Sequence, residues 1–362
     1  AAGCYAERSP QELAAVLPGI DGFIGTRRWA EIVPFISQMG ISSPPPLVGE
    51  GRGRVEPDVP HVAVQGASAY LKIADGCDHT CAFCAIPLIK GRAVSRPPAA
   101  VLADARWLAE RGVQEIILIA QDTTAYGRDL GLREGLAGLL EQLVATVPEV
   151  LWLRLMYAYP GRITPRLIET MARHPQILPY LDLPLQHAHP DVLRRMLRPA
   201  DFEKTRHTVE RLRAAIPEIA IRTTFLVGFP GESEAEFQTL LEFVAEMQFD
   251  RVGVFTYSHE EGTAAARLTD DVPPEVKEER RERLMALQQS ISLMKNRALV
   301  GRTLDVLIEG QGEGLSVGRS KRDAPEIDGL VLAQADLPVG RIVPLRITEA
   351  LEYDLVGEPI QR

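Results

Sequence analysis

Three of the chain's four cysteines, Cys77, Cys81 and Cys84, stand within eight residues, in the stretch Gly76-Cys77-Asp78-His79-Thr80-Cys81-Ala82-Phe83-Cys84. Cysteine thiolates are the usual protein ligands of iron-sulfur clusters, and a cubane cluster has four irons to be ligated. No fourth cysteine lies nearby, so the spacing C-x3-C-x2-C reads as a cluster loop that leaves one iron open to a further ligand. Two other chemistries compete for the same residues. Structural zinc asks for four ligands, usually as two pairs, and the nearest imidazole, His79, sits between the first two cysteines, a poor place from which to turn inward with them. A Cys-x-x-Cys redox pair would leave Cys77 without a task.

Elements that position such a loop must come from a chain of 362 residues, 46% hydrophobic, enough for one large domain or two to three ordinary ones. No run approaches the ~20 apolar residues of a membrane-spanning helix, and no charged-then-apolar leader opens the chain. The expectation is a soluble, cytoplasmic protein without a membrane partner, in a reducing compartment that suits free thiolates. A net charge of −9 argues against a broadly basic nucleic-acid surface, so nucleic acid is not a required partner.

The chain opens Ala1-Ala2-Gly3-Cys4 without a methionine, already in mid-pattern. Ser9 as N-cap followed by Pro10 and Glu12 predicts a helix start, with a second helix over 28–39 and a short strand over 19–25 between them. Residues 1–41 therefore read as the remnant of an α/β amino-terminal domain, and the proline- and glycine-rich residues 42–60 as a linker. Over 61–297 strands alternate with helices. The strands are expected at 69–74, 115–120, 151–157, 180–185, 219–228 and 251–257. The helices are expected at 98–111, 132–146, 164–174, 190–196 with 202–215, and 234–247. Such alternation implies a parallel sheet with right-handed crossovers, and its six units suit an open, partial barrel or a doubly wound sheet.

Chemistry then belongs at the carboxyl ends of the strands. The cysteine loop, Gln121, Tyr157 to Tyr159, Gln186-His187, Gly228 to Glu232 and Tyr257 to Glu261 all fall there. Taken singly, each has a plainer reading: a turn at Gly228, a satisfied polar group at Gln186, a strand-surface arginine at Arg222. The helix over 273–297 is densely charged, which predicts a solvated face laced by near-neighbour pairs. Residues 298–362 switch to short alternating strands with glycine turns, the pattern of a small antiparallel barrel. From residue 303 onward eleven acidic residues face six basic ones, so this barrel is itself acidic.

With Phe83 just before its third cysteine, the loop resembles the signature of the radical S-adenosylmethionine (SAM) enzymes. The order of parts along nearly the whole chain resembles the methylthiotransferases of that group. The resemblance implies a cluster domain, a partial (β/α)6 radical SAM barrel and a terminal TRAM barrel. It implies two [4Fe-4S] clusters, one on Cys77, Cys81 and Cys84 with SAM on its open iron. For the other, Gly3-Cys4-Tyr5-Ala6-Glu7-Arg8 approximates a family context that makes Cys4 a ligand, its companion cysteines lying upstream. Phe83 would pack beside the adenine, and Gln121, Gln186, Arg222, Gly228 and Glu232 are the candidates for holding the cofactor.

One branch of the family modifies an aspartate of small-subunit ribosomal protein twelve, and another modifies adenosine in transfer RNA. Ala120 to Gly127, Leu183 to Ala188, Thr256 to Thr263 and Arg319 to Gly329 look like the first branch. The acidic terminal barrel suits a basic ribosomal protein better than a phosphate backbone. The reaction implied is adenosyl-radical abstraction of a β-hydrogen followed by insertion of a methylthio group, with a reducing electron donor as a second partner.

Overall fold

The computed structural model describes residues 2–3, 8–17, 24–25 and 61–360. Cys4, the helix expected over 28–39 and the linker over 42–60 lie outside the described residues. In the amino-terminal part β1 (Ala2–Gly3) pairs in parallel with β2 (Ile24–Gly25), and α1 (Pro10–Val16) follows Ser9, whose hydroxyl makes no capping bond.

The body of the chain runs β3 (Val62–Gln65), β4 (Ser68–Lys72), β5 (Ala74–Asp75), α2 (Ile86–Lys90), β6 (Val94–Ser95), α3 (Pro98–Ala109), β7 (Glu115–Ile119) and α4 (Gly135–Thr146). It continues β8 (Trp152–Leu155), α5 (Pro165–Arg173), β9 (Ile177–Asp182), α6 (Pro190–Arg195), α7 (Phe202–Ala215), β10 (Ala220–Val227), α8 (Glu234–Met247), β11 (Arg251–Thr256) and α9 (Pro274–Arg297). Seven strands form one sheet in the order β11-β10-β9-β8-β7-β4-β3. Six of them are parallel, and β3 adds an antiparallel edge to β4. Neighbours follow chain order without a reversal, so the sheet is a partial barrel and not a doubly wound one. The edge strand β3 escaped the sequence reading because most of its residues are exposed and give no period of two.

Local chemistry explains where the helices begin. Ser233 and Glu236 form a reciprocal capping box on α8, and Thr164 caps α5 by accepting from Leu167 N–H. The helix α9 departs from expectation. Glu278 and Arg281 do pair on its outer side, but its buried stripe is largely polar. Lys277 donates to Asp270 at 2.6 Å, Arg280 to Glu232 O at 2.9 Å and Gln288 to Phe249 O at 2.9 Å. Lys277 donates as well to Tyr257 O at 3.3 Å, so all three side chains satisfy strand-end and loop carbonyls that the barrel's backbone ladder cannot reach. No helix among the described residues is long and apolar enough to cross a membrane.

The terminal strands β12 (Thr303–Gly312), β13 (Leu315–Ser320), β14 (Val331–Ala333), β15 (Ile342–Ala350) and β16 (Leu355–Pro359) close into a barrel ordered β12-β13-β14-β16-β15. Its pairs are antiparallel except β14 with β16, which are parallel. The segment after β13 plugs the amino-terminal end of the partial barrel. Ala324 and Leu307 pack there with Ile117, Trp152, Leu178 and Tyr180. Around them Arg319 donates to Glu115 at 2.6 Å, Arg154 to Glu115 at 2.6 Å and Arg251 to Asp323 at 2.6 Å.

Candidate active site

The cysteine loop leaves β5 through Gly76, whose φ is +79°, and a Cβ there would stand 2.1 Å from the carbonyl oxygen of Arg92. Only glycine fits that approach. Cys77 N–H donates to Gly91 O at 3.1 Å, and Asp78 accepts from Arg92 Nε and from Ala93 N–H, each at 3.2 Å. The other limb is pinned at Ala82, whose N–H donates to Met196 O at 2.9 Å and whose carbonyl accepts from Ala265 N–H at 2.8 Å. Ala82 packs against Val192, Met196, Phe229 and Tyr257. The ends of β10 and β11, which carry Phe229 and Tyr257, thus support the loop from beneath. All three cysteines are free and half-buried. Burial pushes the Cys77 and Cys84 thiols up, so metal binding there displaces protons.

The three cysteines open into a cavity of about 470 Å³ whose wall includes Phe83, Ile119, Gln121, Tyr157, Tyr159, Gln186 and Arg198. Gln121 follows β7, Tyr157 and Tyr159 follow β8, and Gln186 follows β9, as the rule of carboxyl ends requires. Gln121 Oε1 is buried without a hydrogen-bond partner, a costly arrangement unless a ligand supplies the donor. Gln186 and Tyr157 both adopt left-handed backbone, with φ of +74° and +56°. Gln186 is held so by its N–H donating to Thr224 O and its carbonyl accepting from Leu226 N–H, each at 2.8 Å. Non-glycine residues in that region are sustained only where surrounding structure over-determines them, commonly at functional sites.

His79 donates or accepts through Nε2 with Asp122 at 2.8 Å and stacks on Tyr159 with ring centroids 3.6 Å apart. Its imidazole is committed to Asp122, which removes the nearest nitrogen from a zinc site. Burial opposes ionisation of Asp122, but hydrogen bonds from His79 and Thr124 and the charge of Arg162 outweigh it and hold the carboxyl below its usual range. Arg198 points Nη1 at Cys81 Sγ from 3.6 Å and lays its guanidinium 4.6 Å from the Tyr159 ring centre.

The fold therefore brings together Cys77, Cys81, Cys84, Phe83, Gln121 and Gln186 around one cavity. Three other candidates lie off its wall. Arg222 faces the barrel interior, donating to Asp182 at 3.0 Å with Asp328 at 3.5 Å. Gly228 makes a left-handed turn, φ +68°, under the side chain of Lys277. Glu232 is buried, accepts from Phe229 N–H at 3.0 Å and lies 3.5 Å from Arg280. Conversely, the sequence reading passed over Arg198, whose only local signal is its place two residues after Met196, which anchors the cysteine loop.

Residues 71–244 match the Radical SAM superfamily and residues 300–360 the TRAM domain. The ribosomal protein uS12 methylthiotransferase RimO of Roseiflexus sp. (strain RS-1) is 50% identical over an alignment covering 100% of this chain and 82% of that protein. Its namesake from Chloroflexus aurantiacus is 49% identical, covering 99% of this chain and 84% of that protein. The chain belongs to the RimO family. Among solved structures, the radical SAM enzyme coproporphyrinogen III oxidase (HemN) from Escherichia coli superposes with a TM-score of 0.47 at 19% identity, covering 65% of this chain and 54% of that one.

As radical SAM enzymes, members of the RimO family use an iron-sulfur cluster with SAM, and the cavity fits that pair chemically. Three thiols on one loop suit three irons, the ring of Phe83 and the apolar wall suit a nucleobase, and the orphaned Gln121 Oε1 awaits a donor.

Proposed function

We propose that this chain transfers a methylthio group to the β-carbon of an aspartate in ribosomal protein uS12, acting in the cytoplasm. The observation that carries the reading is the convergence of Cys77, Cys81 and Cys84 with Phe83, Gln121 and Gln186 on one cavity, in a chain half identical to relatives named for this activity. When bound, the cluster and SAM supply the one-electron chemistry that breaks an unactivated carbon-hydrogen bond. The chain's residues do the rest. The cysteines hold three irons and leave the fourth for SAM; Phe83 covers the adenine, and Gln121 and Gln186 accept from and orient the polar groups of the cofactor. Arg198, beside Cys81, offers its guanidinium to the cofactor's carboxylate. Arg222, Gly228 and Glu232 act one step behind that wall, shaping the strand ends that carry it. The apolar wall at Ile119 and Ile86 excludes water and competing hydrogen donors.

Cys4 belongs, in this reading, to a second [4Fe-4S] cluster, and a reducing protein delivers the electron. Nucleic acid is not required, because the acidic terminal barrel favours a basic protein over a phosphate backbone. Full-length enzyme, reconstituted anaerobically, should be incubated with uS12 and, separately, with transfer RNA, and the mass gain located. A methylthio gain on an aspartate of uS12 is expected; modification of the RNA alone overturns the substrate assignment. Iron and sulfide analysis of Cys81→Ala tests the cluster, which should be lost.

A further inference from the structure

The plug that the terminal barrel drives into the partial barrel reaches the cavity through a chain of contacts that begins at Asp328. Asp328 accepts from Tyr180 Oη at 2.7 Å through one carboxylate oxygen. Its other oxygen, buried and without a hydrogen-bond partner of its own, lies 3.5 Å from Arg222 Nε. Arg222 in turn donates from Nη1 to Asp182 Oδ1 at 3.0 Å. Asp182 closes the sequence on the cavity wall: its Oδ2 accepts from Tyr157 N–H at 3.1 Å, and its carbonyl accepts from Ala158 N–H at 2.9 Å. Tyr157, with φ +56°, is one of the left-handed residues that shape that wall.

A left-handed tyrosine persists only where its backbone is tied on both sides. One tie is Tyr157 O, accepting from Thr123 N–H at 3.1 Å; the other is the Asp182 carboxylate. The side chains of Asp182 and Asp328 are both buried and share the single guanidinium of Arg222. Arg222 lies between them, with Thr224 Oγ1 as a further acceptor at 3.2 Å, so the place of Asp182 depends on where Arg222 sits, and that depends on Asp328; burial pushes both carboxyls above their usual range.

We propose that Asp328 of the terminal barrel is a positioning residue for the cavity, acting through Arg222 and Asp182 to hold Tyr157 in its left-handed conformation. The terminal barrel is then part of the active site's architecture as well as an appended surface. The proposal rests on the reading that the cavity holds SAM. It assigns Arg222 a role through Asp182, without contact to the cofactor.

The same plug offers an internal control. Asp323 is also buried and accepts from Arg251 at 2.6 Å and from Ser320 Oγ at 2.7 Å, but these hydrogen bonds go to the terminal barrel and to the start of β11, and neither reaches Arg222, Asp182 or Tyr157. Full-length reconstituted enzyme should be compared as wild type, Asp328→Asn, Asp323→Asn, Asp328→Glu and the milder Tyr180→Phe. SAM affinity is read from the change SAM causes in the electron paramagnetic resonance spectrum of the reduced cluster, and folding from the melting temperature. Asp328→Asn is expected to weaken SAM binding about tenfold, Tyr180→Phe two- to threefold, and Asp328→Glu to recover most of the loss. Asp323→Asn should lower the melting temperature at least as far while leaving SAM affinity within twofold of wild type. Equal loss of affinity in Asp328→Asn and Asp323→Asn, or unchanged affinity in both Asp328→Asn and Tyr180→Phe, overturns the relay. If wild type itself shows no SAM-dependent spectral change, the cavity reading fails with it; a wild-type change that survives intact in Asp328→Asn refutes the relay alone.

Discussion

The two ends of the partial barrel are built from the same strands and put polar groups to opposite uses. At the amino-terminal end Glu115, Arg154 and Arg319 are almost completely buried, with relative exposures of 0%, 0% and 1%, and they answer one another through bonds of 2.6 Å. At the carboxyl-terminal end the thiols are half-buried, Gln121 Oε1 has no partner, and Tyr157 and Gln186 hold strained backbone. Buried charges satisfied by protein are locked in place and unavailable to a ligand. Groups left unsatisfied or strained are those whose free energy a ligand can improve. Arg154 Nη2 and Asp328 Oδ1 lack hydrogen-bond partners at the first end too, but there they abut opposite buried charges, Glu115 and Arg222, whereas Gln121 lines a cavity. The charge at one end therefore marks a joint between domains, and the incompleteness on the cavity wall at the other marks a site.

If that division holds, each end can be broken without the other. The largest effect belongs to Gly76→Ala, because its Cβ would meet the backbone of Arg92 at 2.1 Å and no side-chain rotation relieves a clash with a carbonyl. The SAM-responsive electron paramagnetic resonance signal of the reduced cluster should fall at least tenfold, and iron per chain by that one cluster's share, while the urea midpoint of the barrel stays near that of wild type. Retention of the signal would mean that the loop's path is not what positions the thiols. Next comes Glu115→Gln, which keeps the shape and strips the charge from between Arg154 and Arg319. Breaking one partner of a buried ion pair typically costs about 3–5 kcal/mol; chemical denaturation should show a loss of that order with iron content unchanged. A smaller effect is expected of Phe83→Ala, which lines the cavity without ligating. Iron should be retained and SAM binding weakened about tenfold, in keeping with a lost aromatic contact of ~1–1.5 kcal/mol.

The two ends also differed in how far the sequence disclosed them. The carboxyl end was largely legible, since its chemistry sits on loops that follow strands with strong hydrophobic runs, and six strand-helix units were placed within a few residues of where they lie. That Gln121 and Gln186 stand on the cavity wall is legible because a strand's end is a local property. The amino end was opaque. Arg319 and Ser68 are hydrogen-bonded 251 positions apart, and Arg319 and Glu115 204 apart; nothing local to the stretch Arg319 to Gly329 says that it plugs a barrel. The same blindness affected α9, where Lys277 and Arg280 read as solvent-facing until strand-end carbonyls were found opposite them. Arg222 shows the intermediate case: its position on β10 was foreseen, but Asp328, which shares it, comes from another domain.

The smallest effect, and the sharpest test of the comparison, is in the pH dependence of stability. Burial opposes ionisation of Glu115, but Arg154 and Arg319 outweigh it and hold the carboxyl below its usual range. A carboxyl depressed in the folded state binds fewer protons there than in the unfolded chain. Its stabilisation is therefore complete above the ordinary glutamate value, about 4.3, and is lost as pH falls through the lower folded value. Burial drives Asp328 the other way, above its usual range, despite the hydrogen bond from Tyr180. There the folded state binds more protons, so stability declines as pH rises from about 3.9 through the raised folded value. The two limbs belong to different contacts of one plug: Glu115 to the lock with Arg319, and Asp328 to the link with the cavity. Asp122 and Glu236, also depressed, add to the low-pH fall, and Asp182, also raised, adds to the decline above pH 4. Denaturation midpoints measured against pH should therefore show a shallower low-pH fall in Glu115→Gln and a shallower decline above pH 4 in Asp328→Asn, each variant leaving the other limb as steep as in wild type. If either substitution flattens both limbs, the lock and the link titrate as one unit, and the plug cannot be divided between holding the domains together and shaping the cavity.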